Sequence, residues 1–140
     1  AGIIRLLEFY GVNLVGKTAV VVGRSTIVGR PMAQLLLQKD ATVIQVHSRT
    51  PHPERWLQLA DIAVIAAGRP KLFVSSQFKK DAIVIDVGIH RDPVSGVVFG
   101  DVDATDAGSH LGGLSPVPGG VGPMTIHCLF ENVILAAEAL

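Results

Sequence analysis

The sequence predicts an α/β fold, a Rossmann-like doubly wound parallel sheet of about five strands with helices on both faces. Three observations predict it. Short apolar or β-branched runs (TAVVV, ATVIQV, DIAVIA, AIVID) recur along the chain with helical or turn-rich stretches between them. The first run is apolar without alternation, as a strand covered on both faces must be. Glycine loops follow three of these four runs, and another glycine loop lies near the end of the chain, so that Gly23, Gly68, Gly88 and Gly119 are expected at one edge of the sheet. In parallel sheets that carboxyl edge is where ligands bind. A chain of 140 residues is enough for one such domain and not for two.

Taken in order, AGIIRLLEFYG reads as a helix whose broad apolar face carries Ile3, Ile4, Leu6, Leu7 and Tyr10. The chain thus opens inside a helical pattern and without Met, which is expected of a piece of a longer protein. Residues 18–22 form the first strand, and 23–27 a tight loop. A helix over 28–39 places Met32, Ala33, Leu35 and Leu36 on one side, with Pro31 in the first turn, where its missing N–H costs little. A second strand is predicted over 41–46, a short helix over 53–59, a third strand over 61–66 and a fourth over 82–86. Residues 92–96 read as a surface turn. Residues 111–115 form a short fifth strand, weakened by Gly112 and Gly113. PVPGGVGP then leads into a final helix over 124–139. The sharp turn there is expected to hold Val117–Pro118 in the cis form.

Composition narrows the function. The chain is 49% hydrophobic with formal net charge zero, and no basic run or aromatic ladder suggests nucleic acid. No apolar run has membrane-spanning length. Its single cysteine, Cys128, forms no internal disulfide and fits a reducing compartment, so a cytoplasmic location is expected, or the mitochondrial matrix for a eukaryotic source. The five histidines, His47, His52, His90, His110 and His127, lack metal-ligand spacing, and no metal site is predicted.

The first loop, VVVGRSTIVGRP, differs from the G-x-G-x-x-G dinucleotide fingerprint. Ser25 stands at the second glycine position and Val28 at the third, with Gly29 one residue later. Gly23 permits the turn, Ser25 adds a hydroxyl donor, and Gly29 lets helix and strand pack closely. The free N–H groups of the following helix suit a pyrophosphate. An NAD-preferring domain carries an acid at the end of the second strand for the ribose hydroxyls. Here HSRT stands instead. Ser48, Arg49 and Thr50, joined by Arg24, are donors suited to a 2′-phosphate, which favours NADP over NAD. The alternative is that Arg24 and Arg49 are solvated surface charges.

The set GRSTIVGRPMAQLLL, ATVIQVHSRT, ADIAVIAAGRP, AIVIDVGIHR, GDVD and SPVPGGVGPMT, in this order over nearly the whole chain, resembles the cofactor domain of the methylenetetrahydrofolate dehydrogenase/cyclohydrolase family. The pairing of PVPGGVGPMT with GRSxxVGxP is the specific part, and the opening helix resembles the linker after that family's folate domain. The departure is HLGGLSP, with Ser115 where the family carries Thr. The resemblance implies a parent enzyme that oxidises 5,10-methylenetetrahydrofolate with NADP and hydrolyses the methenyl product to 10-formyltetrahydrofolate. It implies residues 1–16 as a linker helix and 17–140 as the NADP-binding domain. Arg24, Ser25 and Ile27 would meet phosphates and ribose, and Ser48 and Arg49 the 2′-phosphate. Ala67, Gly68, Gly88 and Ile89 would line the adenosine and nicotinamide-ribose side, Thr125 would bond the nicotinamide amide, and Pro118, Gly119 and Gly120 would border the folate. It also implies a homodimer. The family's catalytic Lys, its Tyr partner and its folate-binding Asp belong to the preceding domain, so no catalytic residue is assigned here and the chain alone is expected to bind cofactor without turnover. In keeping with that, Lys17, Lys39, Lys71, Lys79 and Lys80 are all read as lying outside the carboxyl-edge glycine loops. Asp101 is read as shaping a loop through backbone hydrogen bonds rather than as a catalytic acid. Three rivals stand beside this: a non-catalytic nucleotide-binding or dimerisation module, an NAD-preferring family member, and an S-adenosylmethionine methyltransferase, against which the acid-free HSRT argues.

Overall fold

The structure, a computed structural model, describes residues 1–139. Five parallel strands form the central sheet: β1 (Thr18–Val22), β2 (Thr42–Val46), β3 (Ile62–Ile65), β5 (Ile83–Asp86) and β9 (Gly113–Leu114), in the order β2-β1-β3-β5-β9. Four helices accompany them: α1 (Gly2–Phe9), α2 (Gly29–Leu37), α3 (Glu54–Leu57) and α4 (Val121–Glu138). The strand order reverses between β1 and β3, since β2 lies on one side of β1 and every later strand on the other. That switch point is where a doubly wound sheet opens a crevice.

Both faces of the inner strands β1, β3 and β5 are buried, which is why they read as apolar runs. Ala19, Val21, Ile62, Val64 and Ile85 face a core shared with Ile3, Ile4 and Leu7 of α1 and Met32 and Leu36 of α2. Val20, Val22, Ala63, Ile65 and Val84 face the other core, with Leu57, Phe73, Phe78 and Val102. The opening helix is shorter-faced than its sequence suggests. Ile3, Ile4 and Leu7 are buried, Leu6 is half-buried, and Tyr10 is 72% exposed, stacked edge-on against Phe9.

Three corrections concern elements. The final helix begins at Val121, not 124, because Gly120 is its N-cap and Pro123 falls in the first turn, where proline is tolerated. The fifth strand shrinks to Gly113–Leu114; Gly112 lies so close to the Asp81 carbonyl that no side chain fits there. Two small pairs go unannounced by the sequence: the parallel β4 (Phe73–Val74) with β8 (Val102–Asp103), and the antiparallel β6 (His90–Arg91) with β7 (Val98–Phe99), whose connection contains the predicted 92–96 turn.

Candidate cofactor site at the carboxyl edge

Gly23 follows β1 at φ 118°, and any Cβ there would strike the Ala66 carbonyl at the end of β3. Gly29, at the start of α2, sits equally close to the Gly23 carbonyl. Gly29 therefore lets α2 abut the end of β1, and Gly23 makes the turn past the end of β3, as the sequence implied. Ser25 has a different part from the one expected. Its Oγ accepts the N–H groups of Val28 and Gly29 at 3.1 and 3.3 Å, and its carbonyl accepts Arg30 N–H at 3.0 Å. The helix N–H groups expected to be free for a pyrophosphate are thus already engaged by Ser25. The hydroxyl proton of Ser25 stays available to a ligand, because both of those bonds use its oxygen as acceptor.

The second loop is a compact turn. Thr50 N–H donates to the His47 carbonyl at 2.8 Å, His47 N–H to Thr50 Oγ1 at 3.0 Å, and Arg49 N–H to His47 Nδ1 at 3.2 Å. His47 thus orients the turn that carries Ser48, with Nδ1 serving as acceptor.

The third loop, 66–72, is organised by a carboxylate. Asp101 is fully buried; its Oδ2 accepts the N–H groups of Ala67 and Gly68 at 2.7 and 2.9 Å, and its Oδ1 lies 2.7 Å from His90 Nε2. Asp101 therefore shapes the loop as its sequence reading held. Beneath it, Asp86 accepts the N–H groups of Gly88, Asp101 and Val102 at 2.8, 3.0 and 2.8 Å. Burial pushes the Asp86 carboxyl above its usual range, against the pull of those three donors. Gly100 and Gly88 are glycines because a Cβ at either would enter the carboxylate of Asp86 or Asp101 respectively.

These loops enclose a cleft of about 340 Å³ at the β1/β3 switch point, lined by Gly23, Arg24, Ser25, Ser48, Ala67 and Arg69 among others. The guanidinium of Arg49 does not line it, and neither does Gly68. Arg69 does, and the sequence reading missed it; its signal was its place just after the AAG of the third loop. Ile27 and Thr125 meet instead in a neighbouring depression of about 380 Å³ with Val87 and Val121. Thr125 Oγ1 donates to the Val121 carbonyl at 3.1 Å. Gly88 is buried under Asp101, while Ile89 beside it is 70% exposed. Gly119 (φ 101°) and Gly120 border a third groove of about 500 Å³ with Leu6, Leu7 and Pro116, whereas Pro118, which follows a cis bond from Val117, is exposed and does not line it. Lys71 is a correction: it lies in the 66–72 loop at the carboxyl edge, but its Nζ sits 5.7 Å from the Phe99 ring centre and lines a different cavity, beside Asp86.

Among the described residues no three His, Cys, Asp or Glu side chains converge as a metal site, and no helix is long and apolar enough to cross a membrane. A family profile described as the tetrahydrofolate dehydrogenase/cyclohydrolase NAD(P)-binding domain matches residues 1–140. A bifunctional FolD protein of Streptococcus thermophilus is 54% identical over 98% of this chain and 48% of its own length. The Campylobacter jejuni FolD methylenetetrahydrofolate dehydrogenase/cyclohydrolase superposes with a TM-score of 0.95 at 44% identity, over 99% of this chain and 49% of that one. The Trypanosoma brucei enzyme, solved with NADP cofactor and an inhibitor, gives a TM-score of 0.88 at 41% identity, over 95% and 47%. The chain spans about half the length of the relatives it matches.

Proposed function

Since this chain belongs to the tetrahydrofolate dehydrogenase/cyclohydrolase family, in its NAD(P)-binding domain, we propose that it binds NADP across the carboxyl edge and serves a parent enzyme acting on 5,10-methylenetetrahydrofolate. The carrying observation is the charge of the cleft: Arg24 and Arg69 line it and, among the described residues, no Asp or Glu does. A ribose diol calls for a carboxylate acceptor, and a 2′-phosphate for guanidinium and hydroxyl donors. Arg24, Ser25 and Ser48 grip the phosphates, Ala67 and Gly68 back the adenosine, and Gly88, Ile89, Ile27 and Thr125 lead to the nicotinamide side. Arg49 acts from outside the cleft, as a charge on the turn rather than as a wall of it. Pro118, Gly119 and Gly120 border the folate.

Bound there, NADP would supply the hydride acceptor for the parent enzyme's oxidation of the methylene folate to the methenyl form, which that enzyme would hydrolyse to 10-formyltetrahydrofolate. This chain's residues bind and orient; His47, which lines the cleft, has its Nδ1 engaged by the Arg49 N–H of its own turn. On this reading α1 is the linker from a preceding folate-holding domain, residues 17–140 are the cofactor domain, the protein acts in the cytoplasm, and a second copy of the chain is a partner.

Calorimetric titration of the chain with NADP and NAD tests the cofactor assignment. NADP is expected to bind about tenfold tighter or better, since one charge-assisted contact is worth about 1.5–3 kcal/mol, and the same sample is expected to leave methylenetetrahydrofolate unchanged. Equal affinity for the two cofactors sinks the NADP reading, and measurable turnover sinks the division of labour.

A further inference from the structure

The 66–72 loop is held more firmly than a surface turn requires. At one end Asp101 Oδ2 takes the N–H groups of Ala67 and Gly68. At the other, Leu72 N–H donates to the Asp101 carbonyl at 2.6 Å and Lys71 N–H to the Gly100 carbonyl at 3.2 Å. Between these ties Gly68 and Lys71 have φ of 67° and 47°. For lysine that conformation persists only where its surroundings impose it, and such strain gathers at ligand clamps. Pro70 fixes its own φ and confines Arg69 to extended backbone. Arg69 therefore stands on a rigid pedestal.

From that pedestal Arg69 lines the same cleft as Arg24, Ser25 and Ser48, which rise from the other two loops. Neither arginine forms an ion pair among the described residues. Two guanidiniums converging on one cleft repel each other, and a dianionic phosphate between them turns that repulsion into attraction, with planar donors matched to its oxygens. A donor already fixed in place loses little freedom on binding.

We infer that Arg69 is a specificity-determining residue, gripping the cofactor's 2′-phosphate from the β3 side of the cleft opposite Arg24 and Ser48. Selectivity is then shared by three loops, and Asp101 contributes to it indirectly by fixing the pedestal. The inference rests on the NADP reading above.

Calorimetry on the chain, on Arg69→Gln and on Lys80→Gln tests it with NADP and NAD at two salt concentrations. Lys80 lines a cavity of its own with Lys17 and Asp61, away from the cleft, so its loss controls for net charge. Arg69→Gln is expected to weaken NADP about tenfold, leave NAD within about twofold, and flatten the salt dependence of NADP binding. Lys80→Gln is expected to change neither. The exposed side chain of Arg69 makes an unchanged melting curve the accompanying expectation, and Arg69→Lys, which keeps the charge without the planar fork, is expected to recover part of the loss. An unchanged NADP affinity, or equal losses for both cofactors, overturns the assignment while leaving the NADP reading intact. A parent chain with no preference for NADP overturns both.

Discussion

At the scale of single residues, the sequence was most legible where one side chain has one available use. Gly23 reads as a turn residue and Gly29 as a site of close approach, and each abuts a main-chain carbonyl. Ser25 was legible as important but not as an acceptor for the N–H groups leading into α2, because a hydroxyl donates and accepts and only geometry decides which. Arg49 and Arg69 were harder: long side chains on loops are aimed by the turn beneath them, and the turn at 47–50 is fixed by the side chain of His47 within it, that at 66–72 by Asp101, far away in sequence. Asp61 shows the same long reach and carries a prediction. Its Oδ1 meets Lys79 Nζ at 2.5 Å and its Oδ2 accepts Thr18 N–H at 3.0 Å. The Lys79 hydrogen bond, then the Thr18 N–H, holds its pKa below the usual carboxylate range. A depressed folded-state pKa contributes stability that is present above the unfolded value of about 3.9 and lost as pH falls through the folded one. Asp61→Asn is therefore expected to be less stable than the parent at pH 7, by less than about 1 kcal/mol because the pair is partly solvated. The two are expected to converge in acid. Urea unfolding at neutral and acid pH measures this, and a gap that stays constant with pH would count against it.

At the scale of elements, β1, β3 and β5 were readable because burial on both faces leaves a continuous apolar signature, and the edge strand β2, with Thr42 and Gln45 exposed, from its β-branched residues. The two-residue strands β4, β6, β7 and β8 were not, since two residues carry no periodicity and their pairing is dictated by the loops around them; β9 was read, but longer than its two residues. Asp86 and Asp101 tie those loops together. Asp86 binds the start of β8 and the turn after β5, and Asp101 binds the turn after β3. Gly88 is a tight point of this network, because a Cβ there would lie 2.5 Å from the Asp101 main-chain nitrogen as well as against its carboxylate. Gly88→Ala is expected to displace Asp101 and cost about 1–3 kcal/mol, as overpacking of a filled site does. Because the same carboxylate holds Ala67 and Gly68, the change is also expected to weaken NADP binding. Thermal melting and calorimetry read the two effects. A variant that melts and binds like the parent would show that the carboxylate network gives way without cost.

At the scale of the whole molecule, the outstanding feature is α4. Of its residues only Cys128 is buried, while Ile126, Leu129, Phe130, Val133, Ile134 and Leu135 are each more than half exposed. The helix touches the body through α1, where Arg5 pairs with Glu131 at 2.9 Å. An exposed apolar surface of this extent drives association in water, so the chain is expected to self-associate, and a closed two-fold contact is the commonest outcome. Two surfaces compete for that contact. One is the α4 face. The other is the side carrying α3 and the loops beyond it, where Trp56 is 39% exposed. Leu7 of the adjoining α1 is 1% exposed and belongs to the core, so a charge there would unfold the chain rather than probe its surface. Phe130→Glu with Ile134→Glu places two charges one turn apart on the exposed face instead and leaves the core intact. Light scattering across a concentration series is expected to show a dimer for the parent. If the doubly charged variant becomes monomeric, α4 is the contact; if its dimer survives, the contact lies on the opposite side. A parent chain that stays monomeric at high concentration would mean that the apolar face of α4 does not bind a second copy, and the proposed partnership would fail.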